Sequence, residues 1–265
     1  MSFYSRAWFP GAALNAACVE LDARGDFRAE PITSAHDLHH TITVVADLLH
    51  SMDNIVQFVA DSADVLAERQ TETVNDPRIA RHLTVAASRI RAARLPVRHC
   101  REATLTAAEH SDAAVVRLKR VIRPAQLPRR YPDVYRGCTG RSVRAQHAVT
   151  SALSHLNQSG WDAGAVTSAG TLNCITHGLV ELTRRLAVVT GLIGQSARHQ
   201  SEDQWEVIDD ERLAEYLDLT AECATTATSA IRYAHRLLTT ALDPVAETCT
   251  QLNRRGSATT PLYTP

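Results

Sequence analysis

The sequence predicts an all-α protein, an elongated bundle of long antiparallel helices in two similar halves. Three observations carry this. Apolar residues recur at heptad spacing over long stretches. No glycine occurs between Gly25 and Gly137, a span in which a β-rich domain would need repeated tight turns. Aromatic residues are only 5 % of the chain, few for an all-β protein.

The first long helix is the clearest element. Leu38, Ile42, Val45, Leu49, Met52, Val56, Val59, Ala63 and Leu66 alternate spacings of four and three, an a/d seam. Thr33 and Ser34, with Asp37 three residues after Ser34, supply the start signal. A helix from Ser34 to about Gln70 would be ~55 Å long at ~1.5 Å per residue. Asn75-Asp76-Pro77 opens the next helix, with a cap followed by proline at the first helical position. Pro96 should kink that helix or break it in two. Farther along, Leu213, Leu217, Thr220, Ala224, Ala227, Ile231, Ala234, Leu238, Ala241, Val245, Thr248 and Leu252 form a second seam. Its Ala and Thr allow close helix approach. Pro244 should mark a late kink.

The halves emerge when the chain is shifted by 134 residues. Thr33-Ser34-Ala35 then falls on Thr167-Ser168-Ala169, Ser62-Ala63 on Ser196-Ala197, and Asp76 on Asp210, without a gap. Identities over positions 12–120 are more than twice the chance number. Shared heptads inflate such a comparison, but the matching loops are independent of them. This organisation implies an N-terminal helical half (1–123), a Pro/Arg-rich connector (124–143), a C-terminal helical half (144–253) and a disordered tail (254–265).

The net charge is −1, which excludes a wholly basic nucleic-acid-coating protein, but that total hides a polarity. Residues 78–144 hold 16 of the 28 basic residues and only four acids, Glu102, Glu109, Asp112 and Asp133. One part is a helical stripe, Arg91, Arg94, Arg98 and Arg101. Its favoured reading is pairing with acids of the preceding helix, Asp47, Asp53, Asp61, Asp64, Glu68 and Glu72. The other part is Arg117, Lys119, Arg120, Arg123, Arg129, Arg130, Arg136, Arg141 and Arg144, interleaved with Tyr131 and Tyr135. No acidic run lies next to it in sequence. Its arginines suit phosphates or an acidic partner surface, and its tyrosines suit stacking on exposed bases. No zinc-finger spacing, RNP-like motif or helix-turn-helix accompanies it.

Catalytic and metal motifs are incomplete. His36, His40, Cys174 and His177 would form a four-ligand zinc site if the two helix starts met about a pseudo-two-fold axis. The weightier reading is solvated imidazoles and a small buried thiol. Asp37-x-x-His40 and Asp47-x-x-His50 give half of a di-metal pattern on one helix, without its partners. Gly137-Cys138-Thr139-Gly140-Arg141-Ser142 lacks the spacing and the lysine of a phosphate loop. The sequence therefore implies no cofactor and no enzymatic activity. Trp8, Trp161 and Trp205 fall in or near loops and suit sealing of bundle ends. The six cysteines form no CxxC and there is no signal peptide, so they read as free thiols in a cytoplasmic protein. No run approaches the ~18 apolar residues of a membrane span. The expected function is a scaffold that binds partner proteins, or a second copy of itself, through charged helical faces. The alternative is a nucleic-acid-binding accessory protein using residues 117–144.

Overall fold

A computed structural model describes residues 9–23, 32, 34–73, 76–121, 142–158 and 166–258. Among these residues the chain is all-α. Its elements are α1 (Phe9–Ala23), α2 (Ala35–Thr73), α3 (Pro77–Ala92), α4 (Arg94–Val121), α5 (Ser142–Gln158), α6 (Ala169–Val207) and α7 (Glu211–Ala258).

Local chemistry sets the helix starts. Ser34 Oγ accepts the Asp37 N–H at 3.4 Å, and Ser168 Oγ accepts the Thr171 N–H at 3.1 Å. Asp76 accepts the Arg78 N–H at 2.9 Å, and Pro77 follows at the first helical position, where its missing N–H costs nothing. Asp210 accepts the Leu213 N–H at 3.0 Å at the start of α7. Pro96 acts as the sequence suggests, but the interruption lies upstream of it. Proline offers no N–H to the preceding turn, and the α3–α4 break falls at Ala93, whose N–H bonds to Ile90 at 3.0 Å and Arg89 at 3.3 Å. Pro244, in contrast, lies inside an unbroken α7. That helix continues to Ala258, past the expected tail boundary at 254; residues 259–265 lie outside the described residues.

The helices pack as a ring. α6 lies on α7, α7 lies on α3 and α4, and these lie on α2. α6 also meets α2 directly, and beside that contact the two short helices pack on each other, α5 against α2 and α1 against α6. Contacts at one end of α2 join His39 to Ser111, and contacts farther along join Asp53 to Arg94 and Asp64 to Arg91. Residue numbers thus fall along α3–α4 as they rise along α2. The same holds for α6 and α7, where Thr183 meets His235 and Thr190 meets Thr228.

All nine residues of the first seam are buried. So are Leu48, Ile55, Ala60 and Ala67, outside the a/d positions. α2 is covered by α3, α4, α5 and α6, so its apolar stripe is wider than a two-stranded seam requires. The α6–α7 side is built differently. Thr176, Thr183, Thr190, Thr220, Thr228 and Thr248 are buried in it. Each hydroxyl donates to a backbone carbonyl one turn earlier, for example Thr176 to Leu172 at 2.8 Å. Burial therefore leaves none of these six hydroxyls unsatisfied, and the small side chains let Thr228 also donate to Thr190 across the helix pair at 2.9 Å.

Helix positions keep the offset found in sequence. α2 and α6 are each 39 residues long, running 35–73 and 169–207. α3 begins at 77 and α7 at 211, again 134 apart. The short helices depart from it. Their buried residues Leu14, Ala17 and Leu21 correspond to Val149, Ala152 and Leu156 at an offset of 135.

Candidate interaction surfaces

The basic stripe on α3–α4 is an internal fastening. Arg94 places Nε 2.8 Å from Asp53 Oδ1 and Nη2 3.1 Å from Oδ2. It also donates to the Gln57 side-chain carbonyl. Arg98 reaches the same carboxylate at 3.1 Å, and Arg91 spans Asp61 at 3.2 Å and Asp64 at 2.6 Å. Arg101 is half-buried and forms no ion pair among the described residues. Of the acids expected to pair, Asp53, Asp61 and Asp64 do so, Asp47 and Glu68 are exposed, and the side chain of Glu72 is not among those described.

Asp53 is the centre of this fastening, with a side chain only 13 % exposed. Burial alone would push its carboxyl pKa up. Hydrogen bonds from Arg94 and Arg98 outweigh that and hold it below the ordinary 3.8. Hydrogen bonding from Arg117 likewise lowers Asp210. Both pairs therefore contribute fully above 3.8 and are lost as the pH falls through the lower folded-state values. Urea unfolding at stepped pH should show stability declining on acidification in that window. Asp53→Asn should remove part of the decline and lower stability at pH 7 by about 1–2 kcal/mol, between exposed and buried pairs.

The second basic group divides. Arg117, expected to be available to a partner, is held by Asp210, with Nη2 2.8 Å from Oδ2 and Nε 3.1 Å from each carboxylate oxygen. Its fork is matched to a carboxylate already in the chain. Lys119 and Arg120 are exposed on the last turn of α4. Arg123, Arg129, Arg130, Tyr131, Tyr135, Arg136 and Arg141 lie outside the described residues. Arg144 is within α5, but its side chain is not among those described.

The Arg117–Asp210 pair has a further consequence. It sets the end of α4 beside the start of α7, where Glu211, Glu215, Asp218 and Glu222 are all exposed. Their spacings of four, three and four put them on one helix face. None forms an ion pair with another described residue. An acidic surface thus borders the point where the basic segment leaves α4, although no acidic run adjoins that segment in sequence. The spacing was legible in the sequence, but the apolar seam of the same helix masks it.

The proposed zinc ligands do not assemble. His36, His40, Cys174 and His177 are all exposed, and among the described residues no three His, Cys, Asp or Glu could hold a metal ion. Cys174 is a surface thiol rather than a buried one. Buried thiols are found elsewhere: burial pushes Cys18 to about 11 and Cys100 to about 12, so both stay protonated near neutral pH. Trp205 lies in the last turn of α6, while Trp8 and Trp161 are outside the described residues. No described helix is long and apolar enough to cross a membrane. Compared with protein-family models, curated proteins and solved structures, the chain matches none.

Proposed function

We propose that this protein is a non-enzymatic scaffold, a duplicated antiparallel helical bundle that binds partner proteins through charged helical faces. The observation that carries the reading is the difference between its charged stripes. Arg91, Arg94 and Arg98 on α3–α4 are neutralised by α2, whereas Glu211, Glu215, Asp218 and Glu222 stand exposed without ion pairs among the described residues. A rigid helix holding four carboxylates in line suits a basic protein surface, with electrostatics setting choice of partner and association rate. The common 134-residue offset of caps and long helices supports a duplicated origin.

Capture on the immobilised full chain tests this. The wild type should retain a polypeptide that an E211Q/E215Q/D218N/E222Q variant loses, with retention weakening as salt rises. Equal capture by the two would remove the acidic face from the account.

Lys119 and Arg120 favour a second reading. They are exposed, and the sequence continues from them into further arginines and two tyrosines. In that reading residues 117–144, less the engaged Arg117, bind nucleic-acid phosphates.

A further inference from the structure

We propose that the fold is an intertwined pair, in which each half donates its short helix to complete the other half. α1 precedes α2 in sequence, yet its packing partners are α5 and α6. α5 precedes α6, yet it packs on α1 and α2. The exchange is reciprocal, and particular contacts mark it. The Gly178 position of α6 receives Leu14 of α1 so closely that a Cβ there would lie 2.8 Å from the Leu14 Cβ. Nearby, the Cys18 thiol donates to the Gly178 carbonyl at 3.9 Å. On the other side, Ser51 of α2 donates to the Asn157 side chain of α5 at 2.9 Å. The entry to α2 is clasped by α6 as well: Ile32 N–H donates to Ser196 Oγ at 2.9 Å, and Gln200 donates to the Ile32 carbonyl at 2.6 Å.

The partner that each half fits is therefore the other half. Neither long hairpin has a complete apolar surround without the short helix from across the pair. Leu14, Ala17 and Leu21 of α1, and Val149, Ala152 and Leu156 of α5, are the groups exchanged. This is the topology of a swapped dimer held in one chain.

A disulfide between halves tests the exchange on the full chain. A Cβ built at Gly11 would lie 4.0 Å from the Cys174 Cβ, within disulfide range. Gly11→Cys and Cys174 would each lose a hydrogen, and oxidised glutathione would accept the electron pair, giving two reduced glutathiones. A specific protease site is inserted between Pro128 and Arg129. The folded chain is oxidised, unfolded, capped at its remaining thiols and then cleaved, so cleavage does not depend on access in the folded state. On a non-reducing gel the G11C chain should run as one species near 29.0 kDa. It should fall into two fragments on reduction. Wild type and G11C/C174A should give two fragments throughout. Ser51→Cys with Asn157→Cys tests the reciprocal contact in the same way and stands if G11C perturbs α1. Two fragments from both pairs without reductant would overturn the proposal. So would linkage only at twice the chain mass, which would place the exchange between chains.

Discussion

Gly178→Val is expected to destabilise the fold by about 2–3 kcal/mol, although valine is a better helix former than glycine. The Cβ would meet the Leu14 Cβ at 2.8 Å. Leu14 is fully buried, and its Cβ is fixed by the α1 backbone, so relief requires α1 to shift as a body. Gly191 gives the opposite result from the same helix. A Cβ there meets nothing within 4 Å, so Gly191→Ala should stabilise by up to about 1 kcal/mol through helix propensity and unfolded-state entropy. Denaturant unfolding of the two variants reads the signs directly. A Gly178→Val chain as stable as the wild type would mean that α1 does not seat on Gly178.

Leu49→Ala should cost about 2–5 kcal/mol, the range for emptying a fully buried leucine site. Leu49 is 0 % exposed at the centre of the α2 seam. The corresponding position across the 134-residue offset is Thr183, equally buried, with its hydroxyl bonded to the Leu179 carbonyl at 3.0 Å and 3.2 Å from His235 Nδ1. Thr183→Ala removes less hydrocarbon and a hydrogen bond of modest net value, so about 1 kcal/mol is expected. Chemical denaturation should therefore separate the two variants clearly. Equal losses would show that the hydrocarbon-filled and threonine-lined sides are equivalent in packing, contrary to the burial pattern.

Much of the helical architecture was legible because it depends on short-range rules. The α2 seam, the Asp76-Pro77 start and the effect of Pro96 follow from spacing, capping and the missing proline N–H. The partners of the Arg91, Arg94 and Arg98 stripe were legible too, since consecutive helices with opposite charge at matching intervals pair across a hairpin. The exchange of α1 and α5 was not. Heptads specify which face is buried but not which helix covers it, and residues such as Leu14 and Gly178 are 164 positions apart.

The candidate surfaces were legible in part. Arg117 looked like its basic neighbours in sequence. Only the fold shows that Asp210, the residue opening α7, occupies it, while Lys119 and Arg120 remain at the surface. The zinc arrangement required both helix starts to converge, and the four side chains instead face solvent.

The most direct test of the scaffold reading is a salt-titrated binding measurement with single- and double-stranded DNA and RNA. It compares the full chain with an Arg129/Arg130/Arg136/Arg141 alanine variant. A scaffold that recognises proteins through the α7 face should show no salt-steep nucleic-acid binding that distinguishes the two chains. Tight binding by the wild type, lost in the variant with a log–log salt slope shallower by about one for each phosphate contact removed, would contradict that reading and assign residues 117–144 to nucleic acid.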